Sequence, residues 1–110
     1  MARLVGVEHC LAVNSCTSAL VCAYRALGIG AGDEVIVPGY TFFATAATVV
    51  ACNAIPFIVD VDDTLCLSPE AVERAITKRT KAIVAVHMRG APAQMDALLD
   101  VADRNGLPLI

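Results

Sequence analysis

Tryptophan is missing from the 110 residues, and aromatic residues make up only 5% of them. Lysine and arginine number eight against eleven acids, for a net charge of -3. Apart from Lys78-Arg79 and Lys81 the basic residues are scattered, so no nucleic-acid partner is expected. No basic segment followed by an apolar run opens the chain, which argues against a secretory signal. The five cysteines (Cys10, Cys16, Cys22, Cys52 and Cys66) form no CxxC pair. Cys10, Cys16 and Cys22 recur every six residues, which matches no zinc spacing. Reduced, mostly buried thiols in a cytoplasmic protein are expected. Cys16 stands apart, because a helix N-terminus lowers a thiol's pKa. The longest uncharged stretch, 35–59, is broken by Pro38-Gly39, Asn53 and Pro56 and carries Thr41, Thr45 and Thr48, so no membrane span is expected. GxSxG, P-loop, HExxH and paired catalytic carboxylates are all missing.

What remains is an Ala- and Val-rich chain, 57% hydrophobic, in which apolar strand patterns alternate with helix patterns. Residues 9–13 read as a short strand and 17–27 as a helix with Leu20, Ala23, Tyr24 and Leu27 on one face. Gly28 stops that helix. Residues 34–37 form a continuous apolar strand. Residues 41–51 follow as a helix, almost apolar all round and so expected to be deeply buried. Its Thr41, Thr45 and Thr48 are spaced to share a face. Residues 56–61 are a strand, and Asp62-Asp63 a turn. Ser68-Pro69-Glu70 combines a capping residue, proline at the first helical position and an acid in the first turn. Residues 82–86 are a buried strand. Residues 93–105 are the clearest helix, with an apolar stripe of Met95, Leu98, Leu99 and Ala102. Residues 107–110 begin another strand. The alternation predicts an α/β fold with a mostly parallel sheet and right-handed crossovers.

Two stretches carry candidate chemistry. Leu11-Ala12-Val13-Asn14-Ser15-Cys16-Thr17-Ser18-Ala19-Leu20 runs from strand pattern through small polar residues into a helix. The first N–H groups of a helix lack partners. Side chains cap some of them, and the rest, with the helix dipole, attract an anion such as phosphate. An ordinary capped helix explains the same pattern. Tyr40, Phe42 and Phe43 follow a strand end, where they offer either a face for a flat ring or core packing. Both stretches fall on the side of a parallel sheet where ligands bind. Phosphate plus a flat ring suits pyridoxal phosphate, and suits a nucleotide as well. Asp60, Asp62 and Asp63 read as turn residues before they read as a metal or acid cluster. His87 follows a buried strand, as a general base or a structural histidine. His9 has less support. The glycines at 28, 30 and 32 follow a helix and lead into a strand, the reverse of a dinucleotide loop.

Taken in order, these segments resemble the DegT/DnrJ/EryC1/StrS family of pyridoxal-phosphate-dependent sugar aminotransferases. The likeness rests on Ala12-Val13-Asn14-Ser15-Cys16-Thr17-Ser18-Ala19-Leu20, on Gly28-Ile29-Gly30-Ala31-Gly32-Asp33-Glu34-Val35-Ile36-Val37-Pro38 and on Tyr40-Thr41-Phe42-Phe43-Ala44-Thr45-Ala46. It continues through Phe57-Ile58-Val59-Asp60-Val61-Asp62, Val86-His87, Gly90, Pro92 and Met95-Asp96 to Gly106-Leu107-Pro108-Leu109-Ile110. The resemblance implies part of a fold-type-I large domain spanning 1–110. It implies that Thr17 and Ser18 hold the phosphate of pyridoxal 5'-phosphate and that Phe42 stacks on its ring. No catalytic residue and no metal ligand is assigned. The family pattern has Gly at Cys16, Ser at Gly39 and Tyr at Arg89. The acid that pairs with the ring nitrogen is implied just past Ile110 and the cofactor's lysine further on, so residues 1–110 alone are expected to transfer no amino group. The implied parent passes an amino group, from glutamate, to a keto-sugar nucleotide in polysaccharide, lipopolysaccharide or antibiotic sugar biosynthesis. It is expected to be a cytoplasmic homodimer. A sugar dehydratase relative and a non-catalytic remnant are the alternatives. An incomplete sheet is also expected to leave apolar surface open.

Overall fold

The computed structural model describes residues 1–110. In chain order it contains α1 (Ala2–Val5), α2 (Cys16–Ala26), β1 (Glu34–Pro38), α3 (Ala44–Ala51), β2 (Ile55–Val59), α4 (Pro69–Ala75), β3 (Thr80–Ile83), a 3-10 turn (Met88–Gly90) and α5 (Met95–Arg104). The three strands form a parallel sheet in the order β2-β1-β3, as the alternation of elements predicts. Residues 107–110 open a fourth strand beside β3. Leu109 bridges Ile83 in parallel, and the amide of Ala85 donates to the carbonyl of Ile110 at 2.8 Å.

The strand β1 is buried on both faces, and its side chains divide by the two-residue period of a strand. Ile36 joins one core with Val59, Leu67, Val72, Leu98 and Val101, under α4 and α5. Val35 and Val37 join the other with Tyr24, Val49, Ala82 and Val84, under α2 and α3. Helices thus cover both sides of the sheet, the usual condition for parallel strands. At its N-terminal end, β1 is locked to the approach to β3. The buried Glu34 carboxylate binds Arg79 at 2.5 Å and accepts from the Thr77 hydroxyl at 2.5 Å. Its amide donates to the Arg79 carbonyl at 2.9 Å.

Several expectations change. Residues 9–13 form no strand: no neighbouring strand offers them a ladder, and Leu11 is 92% exposed. A single turn, α1, forms upstream with no buried residue. The helix after β1 begins at Ala44 rather than Thr41, and only Thr45, Thr48 and Val49 are buried in it. One face packs on the sheet while Val50, 57% exposed, points away. In α5 the buried stripe is Leu98, Val101 and Ala102, and Leu99 is exposed. The helix starts two residues later than expected, and its inner face follows the 98-to-101-to-102 spacing. All five cysteines are free, but only Cys52 and Cys66 are buried. Cys10 and Cys16 fall on the open segment and the helix start, and Cys22 on the outer side of α2. Apolar surface is open, as expected, at Phe42, Phe43, Ile55 and Ile58 among others. No helix is long and apolar enough to cross a membrane.

Candidate functional site at the carboxyl edge of the sheet

The N-terminus of α2 is capped by Ser15, whose hydroxyl oxygen accepts the Ser18 amide at 3.1 Å. The Ser18 hydroxyl donates to Asn14 Oδ1 at 2.7 Å. The cap therefore takes the Ser18 amide and fixes its side chain. Cys16 and Thr17, the first two helical residues, have no acceptor inside the helix for their N–H groups. The helix dipole places partial positive charge at the same point. The capped-helix and anion-site readings thus coexist here: Ser15 caps one of the first four donors, and those of Cys16 and Thr17 are among the ones that remain.

These two residues border a cleft of about 330 Å³, at the lower end of the roughly 300–1,000 Å³ common for small-molecule sites. Four elements meet around it. Cys16, Thr17 and Leu20 come from α2, while Thr41, Phe42, Ala44 and Thr45 come from the segment after β1. Val84, Ala85, Val86 and His87 follow β3, and Ile110 belongs to the fourth strand. The strands are parallel, so their carboxyl ends share this edge, where α/β proteins bind ligands. The floor is apolar. The polar groups are few: the hydroxyls of Thr41 and Thr45, 2.8 Å apart, the imidazole of His87, and the α2 terminus.

Phe42 is 77% exposed. A ring this size held out of the core at the mouth of a cleft leaves a face free for stacking. The turn before it passes tightly under β2: Gly39 donates its amide to the Val59 carbonyl at 2.8 Å. A Cβ at Gly39 would lie 3.2 Å from that oxygen. The His87 ring is fixed from behind, because Nδ1 accepts the Ala93 amide at 3.2 Å.

The structure brings Thr17 and Phe42 to one cleft. Ser18 stands one position behind it, its amide and hydroxyl both engaged within the cap. Tyr40 and Phe43 do not line it. Cys16, Thr41 and Thr45 do, though the sequence had set the threonines on a helix face rather than at a site. Their four-residue spacing across the start of α3 was the available signal. Asp62 makes the expected turn, accepting the Thr64 amide at 2.8 Å and the Thr64 hydroxyl. Those hydrogen bonds hold its carboxyl below the usual range, the Thr64 hydroxyl most of all. Asp60, Asp63 and His9 take no part in the cleft, and no group of three potential metal-ligating side chains occurs. Lys78 and Lys81 flank the start of β3, while the cleft lies beyond its other end.

The residues present suit a phosphorylated flat ring. A helix start offers unshared N–H groups to an anion, an exposed phenyl ring offers a face for stacking, and the floor between is apolar.

Comparison with known proteins agrees. The model of the DegT/DnrJ/EryC1/StrS aminotransferase family matches residues 1–110. L-glutamine:2-deoxy-scyllo-inosose aminotransferase of Streptomyces paromomycinus is 59% identical over 106 residues, 96% of this chain and 25% of that protein. The crystal structure of 3-amino-5-hydroxybenzoic acid synthase superposes with a TM-score of 0.95 at 45% identity, covering 98% of this chain and 28% of that one. NtdA of Bacillus subtilis, solved with its cofactor pyridoxamine phosphate bound, superposes with a TM-score of 0.82 at 38% identity, covering 84% and 22%. The chain spans about a quarter of the length of the curated relatives it matches.

Proposed function

Because the chain belongs to the DegT/DnrJ/EryC1/StrS aminotransferase family, whose cofactor is pyridoxal 5'-phosphate, we propose that residues 1–110 form the phosphate-and-ring half of its cofactor pocket. Thr17, with Cys16, receives the phosphate through backbone N–H groups. Ser18 keeps the helix start rigid through Ser15 and Asn14, and its hydroxyl joins the phosphate if it leaves Asn14. Phe42 covers one face of the ring. The bound cofactor supplies an aldehyde that carries the amino group and a ring that takes up the electron pair. The residues named here bind and orient it, and the apolar floor excludes water from the ring. The observation that carries this reading is the meeting of the α2 N-terminus and Phe42 in one cleft.

Within the 110 residues the two lysines lie away from the cleft, so these residues alone transfer no amino group. The 1–110 unit is accordingly part of a fold-type-I large domain. The amino acceptor is a ketone on a polyhydroxylated ring. The 59% identity to an enzyme named for 2-deoxy-scyllo-inosose and L-glutamine favours a cyclitol ketone with glutamine as donor. A keto-sugar nucleotide with glutamate, the pairing the family resemblance implies, is the second reading. Homodimerisation belongs to the same proposal, and the exposed Phe43, Val50 and Ile58 support it. The test is to supply the polypeptide that bears residues 1–110 with pyridoxal phosphate and each donor–acceptor pair, and to follow the products by mass spectrometry. Amine product from the cyclitol ketone and glutamine is expected. Amine from the keto-sugar nucleotide alone would move the assignment to the second reading. A dehydrated product without nitrogen would overturn amino transfer.

A further inference from the structure

Four elements border the cleft, and the reading above gives two of them a task. The start of α2 meets a phosphate, and Phe42 meets the face of a ring. The third border, from β3, ends in His87. The remaining polar side chains are already committed in part. Thr41 and Thr45 share a hydrogen bond of 2.8 Å, and Ser18 is tied to Asn14. His87 is the one imidazole on the cleft. Its geometry is specific: Nδ1 accepts the Ala93 amide at 3.2 Å. A nitrogen that accepts carries no hydrogen, so the ring hydrogen resides on Nε2. His87 is also exposed, so Nε2–H is free to meet a ligand. A phosphorylated ring held at α2 and Phe42 would share the cleft with His87, which lines it.

We propose that His87 is a ligand-binding residue, donating Nε2–H to an oxygen on the edge of the ring bound in the cleft, and that the Ala93 amide sets the tautomer that makes it a donor. The inference rests on the pyridoxal phosphate reading of the same cleft. It separates His87 from two other roles, a general base and a purely structural acceptor for the 88–93 loop. A base would need Nε2 free of hydrogen, and a structural role would need Nδ1 alone.

Two side-chain amides divide these roles. In Asn the amide reaches about where Nδ1 lies, so His87→Asn can keep the bond to Ala93 while losing the reach of Nε2. In Gln the amide nitrogen reaches about where Nε2 lies, so His87→Gln can keep the donor. Pyridoxal 5'-phosphate is titrated into the polypeptide bearing residues 1–110 and into its His87→Gln, His87→Asn and His87→Ala forms. Binding is followed by the absorbance of the cofactor and by the nitrogen and amide resonances of His87, Cys16 and Thr17. We expect His87→Ala and His87→Asn to weaken binding about tenfold, the size of one net hydrogen bond, and His87→Gln to keep most of the affinity. We also expect the wild-type Nε2 resonance to move on titration while Nδ1 stays the acceptor. Rescue by Asn but not Gln, or a wild-type affinity in His87→Ala, overturns the proposal. A still Nε2 resonance beside moving Cys16 and Thr17 amides overturns it while leaving the phosphate site intact. If those amides do not move either, both readings fall.

Discussion

Replacing Glu34 tests how the sheet is held at the end away from the cleft. Its side chain is 2% exposed, and its two oxygens bind Arg79 and the Thr77 hydroxyl, each at 2.5 Å. Hydrogen bonds to a charged group contribute about 1.5–3 kcal/mol each. The Arg79 guanidinium is 65% exposed and regains water when its partner goes, so its bond belongs below that range. Removing the carboxylate also relieves the cost of burying a charge. For Glu34→Ala the balance is a loss of about 2–3 kcal/mol. Glu34→Gln keeps the shape and a neutral partner for both groups and costs about 1 kcal/mol. Urea unfolding of the polypeptide bearing residues 1–110 measures this. With a slope of about 1–2 kcal/mol per molar, the Glu34→Ala midpoint falls by roughly 1–3 M. An unchanged midpoint, or Gln costing as much as Ala, would refute the claim that this carboxylate clamps β1 to β3.

Other outcomes follow from single side chains. Phe42→Ala leaves the free energy of urea unfolding within about 0.5 kcal/mol of wild type, because an exposed ring supports no core. It weakens pyridoxal phosphate binding by up to about tenfold, the worth of a stacked pair, as calorimetry can show. Asp62 is held below the ordinary aspartate value of 3.8 by its hydrogen bonds, so the stability it contributes is present above that pH and is lost as pH falls through the folded value. Asp62→Asn flattens this acid limb in a pH series of thermal melts. The hydroxyl of Tyr24 is buried with no well-formed hydrogen bond, and burial pushes its pKa above 10.0 against a smaller downward pull from the neighbouring Thr48 hydroxyl. Tyr24→Phe therefore unfolds no earlier than wild type and gains up to about 1 kcal/mol. It also removes the loss of stability that the tyrosine imposes as pH rises above 10.0.

The parallel sheet and its helical layers were largely readable from apolar periodicity. Val35, Ile36 and Val37 alternate between two cores, and the Ser68-Pro69 cap starts α4 where its residue types require. What was not readable depended on neighbours. Residues 9–13 have a strand's composition, yet a strand needs a paired edge, and none stands beside them. Leu99 has the right spacing for the α5 stripe, but the face of the helix that meets the sheet is the one bearing Leu98, Val101 and Ala102. At the site, small polar residues before a helix pointed to the α2 terminus, and the family resemblance singled out Phe42. The separation of roles between Thr17 and Ser18 was invisible, since it turns on which donor Ser15 captures. The tautomer of His87 was equally hidden, because Ala93 meets it only through the fold of the 88–93 loop.

The central claim is that the free N–H groups of Cys16 and Thr17 hold a phosphate whose attached ring lies on Phe42. Competitive titration with pyridoxal 5'-phosphate, unphosphorylated pyridoxal and inorganic phosphate, read on the amide resonances of Cys16 and Thr17, tests it most directly. The account predicts that both phosphate-bearing probes move these two amides, that pyridoxal alone does not, and that only pyridoxal 5'-phosphate also perturbs the Phe42 ring. Equal binding of pyridoxal with and without its phosphate, or phosphate shifts centred away from residues 16 and 17, would contradict it.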